Sequence, residues 1–191
     1  MTNPLIGLFQ LVDAFVAMGI DYVVVGSIAS SLHGDYRASA DVDLIADIKP
    51  EQIGDLVATL SSEFYIDDLS VRKSVARGRA FNVIHLAGIF KIDVFPPNTE
   101  LSRQQLSRRE LHQIAADPPR ELWIATAEDM ILAKLRWFQL GQGISELQWR
   151  DVKGMIGTQG PRLDFDYLQL WAEHVGVRYL LNQALKEMDR S

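Results

Sequence analysis

Three aspartates lie inside apolar runs of the kind that form buried strands. Asp41 and Asp43 are one residue apart in ADVDLIADI (40–48), and Asp93 lies between Ile92 and Val94 in FKIDVF. Residues two apart on an extended chain share a face, so Asp41 and Asp43 project together while Val42 and Leu44 project to the other side. Carboxylates that close repel, and either a cation stands between them or water surrounds both. A divalent metal is the simplest neutraliser. Hard oxygen ligands in a chain without cysteine suit Mg²⁺, which takes one or two carboxylates from a protein and shares its other positions with water and substrate phosphate. The pattern points toward phosphate chemistry, and Asp93 offers a further carboxylate from a second strand. Taken alone, Asp-Val-Asp reads more readily as an edge strand with its aspartates in water.

Gly26 and Ser27 follow the apolar run DYVVV. Glycine at a strand-to-helix turn lets backbone come close to a ligand, and the helix start presents free N–H groups to an anion. The turn is therefore a candidate phosphate seat. An ordinary turn with Ser27 capping the helix reads the same way.

GSIASSLHGDYRASADVDLI holds Gly-Ser, thirteen intervening residues and then Asp-Val-Asp, and KIDVF follows later. Together these resemble the signature of the polymerase-β-like nucleotidyltransferase superfamily, in the version of small prokaryotic members related to abortive-infection (type IV toxin) nucleotidyltransferases. The resemblance implies an α+β (α/β) nucleotidyltransferase fold: a short mixed β-sheet flanked by helices, with a C-terminal helical region. It implies that Gly26 and Ser27 hold the triphosphate, that Asp41 and Asp43 bind two Mg²⁺ ions (or Mn²⁺), and that Asp93 joins one metal and helps deprotonate the attacking hydroxyl. The implied reaction moves an NMP from an NTP such as ATP to a hydroxyl acceptor, releasing pyrophosphate; the acceptor is a small molecule, an RNA end or a protein. The alternative is a catalytically silent module acting as a toxin–antitoxin or regulatory binding partner, with an antitoxin as its partner.

In TAEDMILAKLRWFQL, Ala127, Ile131, Lys134 and Phe138 fall on one helical stripe, so Lys134 interrupts an apolar face. It either meets an anion or snorkels to water. The same toxin relatives carry a similar Lys-Leu helix followed by an Arg-Asp pair, here Arg150 and Asp151. By that resemblance Lys134 contacts a phosphate and Asp151 orients it; the bland counterpart is a surface ion pair. Arg37, just before the acids, either neutralises phosphate or holds the loop. His33 reads as structural.

The elements needed to position these groups follow from periodicity. A helix is predicted over 5–18, ending at Gly19, then a strand DYVVVG and a helix from Ser27 through Leu32. ADVDLIADI is a strand, and Pro50 opens a helix to about Leu60. RAFNVIHLA and GIFKIDVF form a hairpin, Pro96 and Pro97 close the strand-rich half, and LHQIAAD is one further strand. Thr126 with Asp129 caps a helix through about Leu140, and helices follow over 145–156 and 164–188, the last broken near Gly176. The expected division is a nucleotidyltransferase core over 1–98 and a mainly helical region over 99–191 that completes the substrate cleft.

The chain has 191 residues, 48% of them hydrophobic, enough for one core domain with an appendage. A net charge of −6 argues against an extended DNA-tracking surface, and the clusters Arg72, Lys73, Arg77, Arg79 and Arg103, Arg108, Arg109 read as solvated faces. No run approaches the roughly 18 apolar residues of a membrane span, and MTNPLIGLF lacks the basic flank of a signal peptide. A cytoplasmic protein is expected, in keeping with the absence of cysteine. Trp123, Trp137, Trp149 and Trp171 read as helix-core residues rather than base-stacking platforms.

Overall fold

The computed structural model describes residues 4–35 and 41–188. It divides into two compact units, Met1–Ile28 with Ala38–Ile124, and Ala29–Arg37 with Ala125–Ser191. The first unit is built on a seven-stranded mixed sheet of order β3-β4-β5-β2-β1-β7-β6. Its strands are β1 (Tyr22–Val25), β2 (Val42–Ala46), β3 (Phe64–Tyr65), β4 (Phe81–His85), β5 (Phe90–Phe95), β6 (Glu110–Ala116) and β7 (Pro119–Ile124).

The centre of the sheet is where its sequence is most apolar. Every residue of β1, YVVV, is buried, as a strand with neighbours on both sides and both faces covered requires. β2 runs antiparallel to β1 and parallel to β5. In β5 Phe90, Ile92 and Val94 are buried, while Lys91, Asp93 and Phe95 on the other face are only half-buried. That alternation reserves one side of the strand for polar groups. Helix α1 (Pro4–Ala17) supplies Leu8, Leu11, Val12 and Phe15 to the core, and Pro50 begins a single 3-10 turn that runs into α3 (Ile53–Leu60).

Four elements of this unit escape the sequence pattern: β3, α4 (Asp68–Ala76), α5 (Glu100–Ser107) and β7. In α4 only Val71 is buried, so no apolar stripe marks the helix; Asp67 caps it, its carboxylate accepting from the Ser70 N–H at 2.7 Å. Thr99 caps α5 in the same way, accepting from Ser102 N–H. β7 pairs antiparallel with β6 and parallel with β1 through Val24 and Ile124. The sheet thus continues past Pro96 and Pro97, and the first unit closes at Ile124 rather than at 98.

The second unit is helical. It holds most of α2 (Gly26–His33) together with α6 (Ala127–Leu140), α7 (Glu146–Gln159), α8 (Phe165–His174) and α9 (Arg178–Met188). Thr126 caps α6 as expected, accepting from Asp129 N–H. Met130, Ile131, Leu135, Val152, Met155, Leu168, Leu181 and Ala184 form its core. His33 is structural: its Nε2 donates to the Ala125 carbonyl at 2.7 Å, and its own carbonyl accepts from Gln159 Nε2. Among the described residues, no helix is long and apolar enough to cross a membrane.

Trp149, Trp137 and Trp171 lie on helices as expected, but Trp137 is 60% exposed and Trp149 donates its indole N–H to Glu187. Trp123 is on β7, where the Arg109 guanidinium stacks on its ring. Arg109 also pairs with Asp21 at 2.6 Å, which takes it out of any free basic patch.

Candidate active site

Register brings the acids together. β2 and β5 are parallel neighbours in which Asp43 stands opposite Asp93. Side chains directly opposite on adjacent strands share a face, and adjacent strands lie about 4.8 Å apart. Asp41 directly precedes β2, where the strand's period of two, continued by one residue, puts it on the same side. Asp41 is exposed and Asp43 half-buried, and the Asp93 side chain is 20% exposed.

The other neighbour of β2 brings in the glycine turn. Val25, the last residue of β1, is in register with Asp43, and Gly26 follows with φ +65°. A Cβ at Gly26 would stand 2.8 Å from both Cβ and Cγ of Asp43 and closer still to its Oδ2. Glycine is required here twice, by the left-handed backbone and by the carboxylate pressed against it.

Ser27 departs from the capping role. It lies inside α2, which begins at Gly26, and its Oγ donates to the Asp41 carbonyl at 3.3 Å. The hydroxyl therefore ties the turn to the first acid. Arg37 lies outside the described residues.

Lys91 completes the constellation. It is two residues before Asp93 on the same face of β5, and its Nζ meets Asp93 Oδ2 at 2.6 Å. The hydrogen bond to Asp93 holds the ammonium pKa above its ordinary value; the Asp93 charge and the fields of Asp41 and Asp43 act in the same direction, while partial desolvation opposes them. The ammonium is thus paired with Asp93 and lies within the fields of the other two acids.

No protein-family profile matches the chain, and no curated protein sequence matches it. Solved structures do. An antigenic nucleotidyltransferase-like protein from Paracoccidioides brasiliensis is 21% identical, with a TM-score of 0.56 over 94% of this chain and 91% of that one. ANT(2")-Ia in complex with adenylyl-2"-tobramycin is 13% identical, with a TM-score of 0.59 over 93% of this chain and 99% of that one. The solution structure of the antibiotic-resistance factor ANT(2")-Ia gives 13% identity and a TM-score of 0.53.

The chain has the nucleotidyltransferase fold.

Within this nucleotidyltransferase fold the acid face fits a hard cation in charge and chemistry. Asp43 and Asp93 are adjacent, Asp41 shares their face, and Lys91 already supplies a positive charge there. The set is not closed around an ion as it stands: among the described residues, no group of three histidine, aspartate or glutamate side chains is arranged to hold a metal. Lys91 instead engages Asp93 directly.

The helical unit of the nucleotidyltransferase fold holds the other residues singled out by sequence. Lys134 does not snorkel; it is buried, and its Nζ donates to Asp151 Oδ2 at 2.7 Å. Arg150 is exposed. The residue that sequence reasoning missed is Lys91. The same period-two rule that pairs Asp41 with Asp43 puts Lys91 beside Asp93, so the signal was present in FKIDVF.

Proposed function

We propose that this chain is a metal-dependent nucleotidyltransferase that moves an NMP from an NTP to a hydroxyl acceptor and releases pyrophosphate. The observation that carries the reading is the register of Asp43 with Asp93 beside the Gly26 turn, in a chain of nucleotidyltransferase fold. Asp41, Asp43 and Asp93 would hold Mg²⁺ or Mn²⁺, which when bound neutralises phosphate charge and lowers the pKa of the attacking hydroxyl.

The chain's own residues do the positioning. Gly26, lacking a side chain, lets the Asp43 carboxylate lie against the turn, and the first N–H groups of α2 offer donors to a triphosphate beside it. Ser27, bonded to the Asp41 carbonyl, fixes the turn against the acid strand. Asp93, on the neighbouring strand, takes up the proton of the acceptor hydroxyl as that oxygen attacks the α-phosphorus. Held in this way, reactants gain mainly from proximity and preset charge.

We further propose Lys134, oriented by Asp151, and Arg150 as phosphate contacts, and Arg37 as a neutralising group beside the acids. These roles, and kinship with the abortive-infection toxins, rest on the sequence resemblance. Likeness to a protein solved with adenylyl-2"-tobramycin supports a small-molecule hydroxyl among the possible acceptors. Dependence on an NTP makes a cytoplasmic setting part of the reading.

The test is incubation with α-labelled ATP, GTP, CTP and UTP, Mg²⁺, and separate aminoglycoside and RNA acceptors, beside the Asp41→Asn, Asp43→Asn protein. Label transferred by the wild type and lost in the variant is expected. Equal transfer by both proteins removes the acids from the chemistry. A second readout is thermal stability: a productive NTP with Mg²⁺ at a hundredfold excess over its dissociation constant should stabilise the fold by about 2.7 kcal/mol.

A further inference from the structure

Lys91 is the feature of the acid face that neither the resemblance nor the proposed reaction uses. Its place is specific. The side chain leaves β5 on the face that carries Asp93 and Asp43, and its ammonium sits 2.6 Å from Asp93 Oδ2. Across the sheet on β4, Asn82 is in register with Asp93 and Ile84 with Lys91, so β4 brings no ionised group to these two positions. On β1 the residue beside Asp43 is Val25. Among the described residues of these strands, Lys91 is the ammonium beside the carboxylates.

We propose that Lys91 is an internal counter-ion of Asp93 on the acid face, engaged on it when no metal is bound, and that a divalent cation binds by displacing it. The inference rests on the proposed metal-binding role of the three acids. An ammonium donating to Asp93 Oδ2 occupies one of that oxygen's lone-pair directions and competes with a metal for the carboxylate charge. Two cations cannot share the oxygen at hydrogen-bond and coordination distance without strong repulsion. The Lys91 side chain is 43% exposed and carried on a flexible four-carbon stem, so its head can move into water at little cost. The raised ammonium pKa, caused first by the Asp93 hydrogen bond and also by the fields of Asp41 and Asp43, agrees with this geometry.

Charge balance gives the arrangement a consequence. With Lys91 in place the adjacent Asp43 and Asp93 carboxylates tolerate each other in metal-free protein. Bound metal takes over that neutralisation and frees Lys91 to meet other anions. Lys91 is on this account a positioning residue that sets metal affinity.

The experiment measures Mn²⁺ binding, without nucleotide, by titration calorimetry and by the loss of the free-ion electron paramagnetic resonance signal. It compares wild type, Lys91→Gln, Lys91→Arg and Asp43→Asn. Affinity two- to fivefold tighter in Lys91→Gln is expected, about the fold-change that a partly exposed ion pair can oppose, with Lys91→Arg close to wild type. Metal-free Lys91→Gln should also melt lower than wild type and regain more of its melting temperature on adding Mn²⁺. Equal or weaker Mn²⁺ binding by Lys91→Gln overturns the displacement while leaving the metal site standing. Absence of binding in every protein, or undiminished binding in Asp43→Asn, overturns both. Should Lys91→Gln fail to fold without metal, Lys91→Met refolded with and without Mn²⁺ decides: recovery only with the ion supports the proposal, and no difference sinks it.

Discussion

Asp43 and Asp93 stand opposite each other on the parallel strands β2 and β5, with Gly26 packed against the first of them. Parallel neighbours in register keep two carboxylates side by side without any further device. The contact with Gly26 means that whatever binds at the acids lies next to the first turn of α2.

The acids should be separable from a neighbouring acid just past the same strand. Asp43→Asn and Asp93→Asn are each expected to lower nucleotide transfer by about 100-fold or more, the usual scale for removing one preorganised charge from a reacting centre. Asp47→Asn serves as the control, because Asp47 follows the end of β2 and pairs with Lys49 at 2.7 Å. Steady-state rates with circular dichroism on each protein check this, and a loss in Asp47→Asn equal to that in Asp43→Asn would count against the assignment.

Gly26→Ala should damage both stability and site. The left-handed backbone alone costs an L-residue about 1 to 2 kcal/mol, and the new methyl collides with Asp43. Denaturant melts should show at least that loss, and Mn²⁺ affinity should fall because the Asp43 carboxylate is pushed aside. A variant as stable as wild type contradicts the turn geometry.

Lys134 and Asp151 form an enclosed ion pair in the helical unit, with side chains 6% and 10% exposed. Removing the carboxylate leaves the buried Lys134 ammonium without its Asp151 partner, so Asp151→Leu should cost about 3 to 5 kcal/mol, and adding Lys134→Met should recover much of it. A double-mutant cycle in urea measures the coupling. Single losses below about 1 kcal/mol would place the pair among surface bridges.

Glu187 gives the helical unit an acid sensitivity. The Trp149 indole N–H donates to its Oε2 and Gln183 to its Oε1, with Lys153 at 3.3 Å, and these hold its pKa below the ordinary carboxylate value despite an opposing desolvation effect. A depressed folded pKa stabilises the fold above the unfolded value, near 4.5, and that contribution disappears as pH falls through the folded pKa. The urea midpoint of wild type should exceed that of Glu187→Gln at pH 7, and the gap should close in the acid range below about 4.5. A gap that stays constant with pH rules out the carboxylate as its source.

Elements with strong apolar rhythm were legible in the sequence. The four buried residues of β1, the alternation of β5 and the stripe of α1 state their period directly, because each buries a face whose spacing is fixed by local backbone geometry. α4 and α5 were not legible, since each buries only one or two side chains and is defined chiefly by its cap. β7 was hidden between a proline and a polar run; it is a strand because β1 offers an unpaired edge beside it, which is information held elsewhere in the chain.

The acids divide along the same line. That Asp41 and Asp43 share a face, and that Lys91 and Asp93 share one, follows from a repeat of two residues within each segment. That Asp43 meets Asp93 in register, with Gly26 against it and Lys91 on its neighbour, depends on β2 lying between β1 and β5. Strand pairing across fifty residues is chosen by the burial of the whole sheet, so local spacing names the participants and only the folded chain assigns their partners.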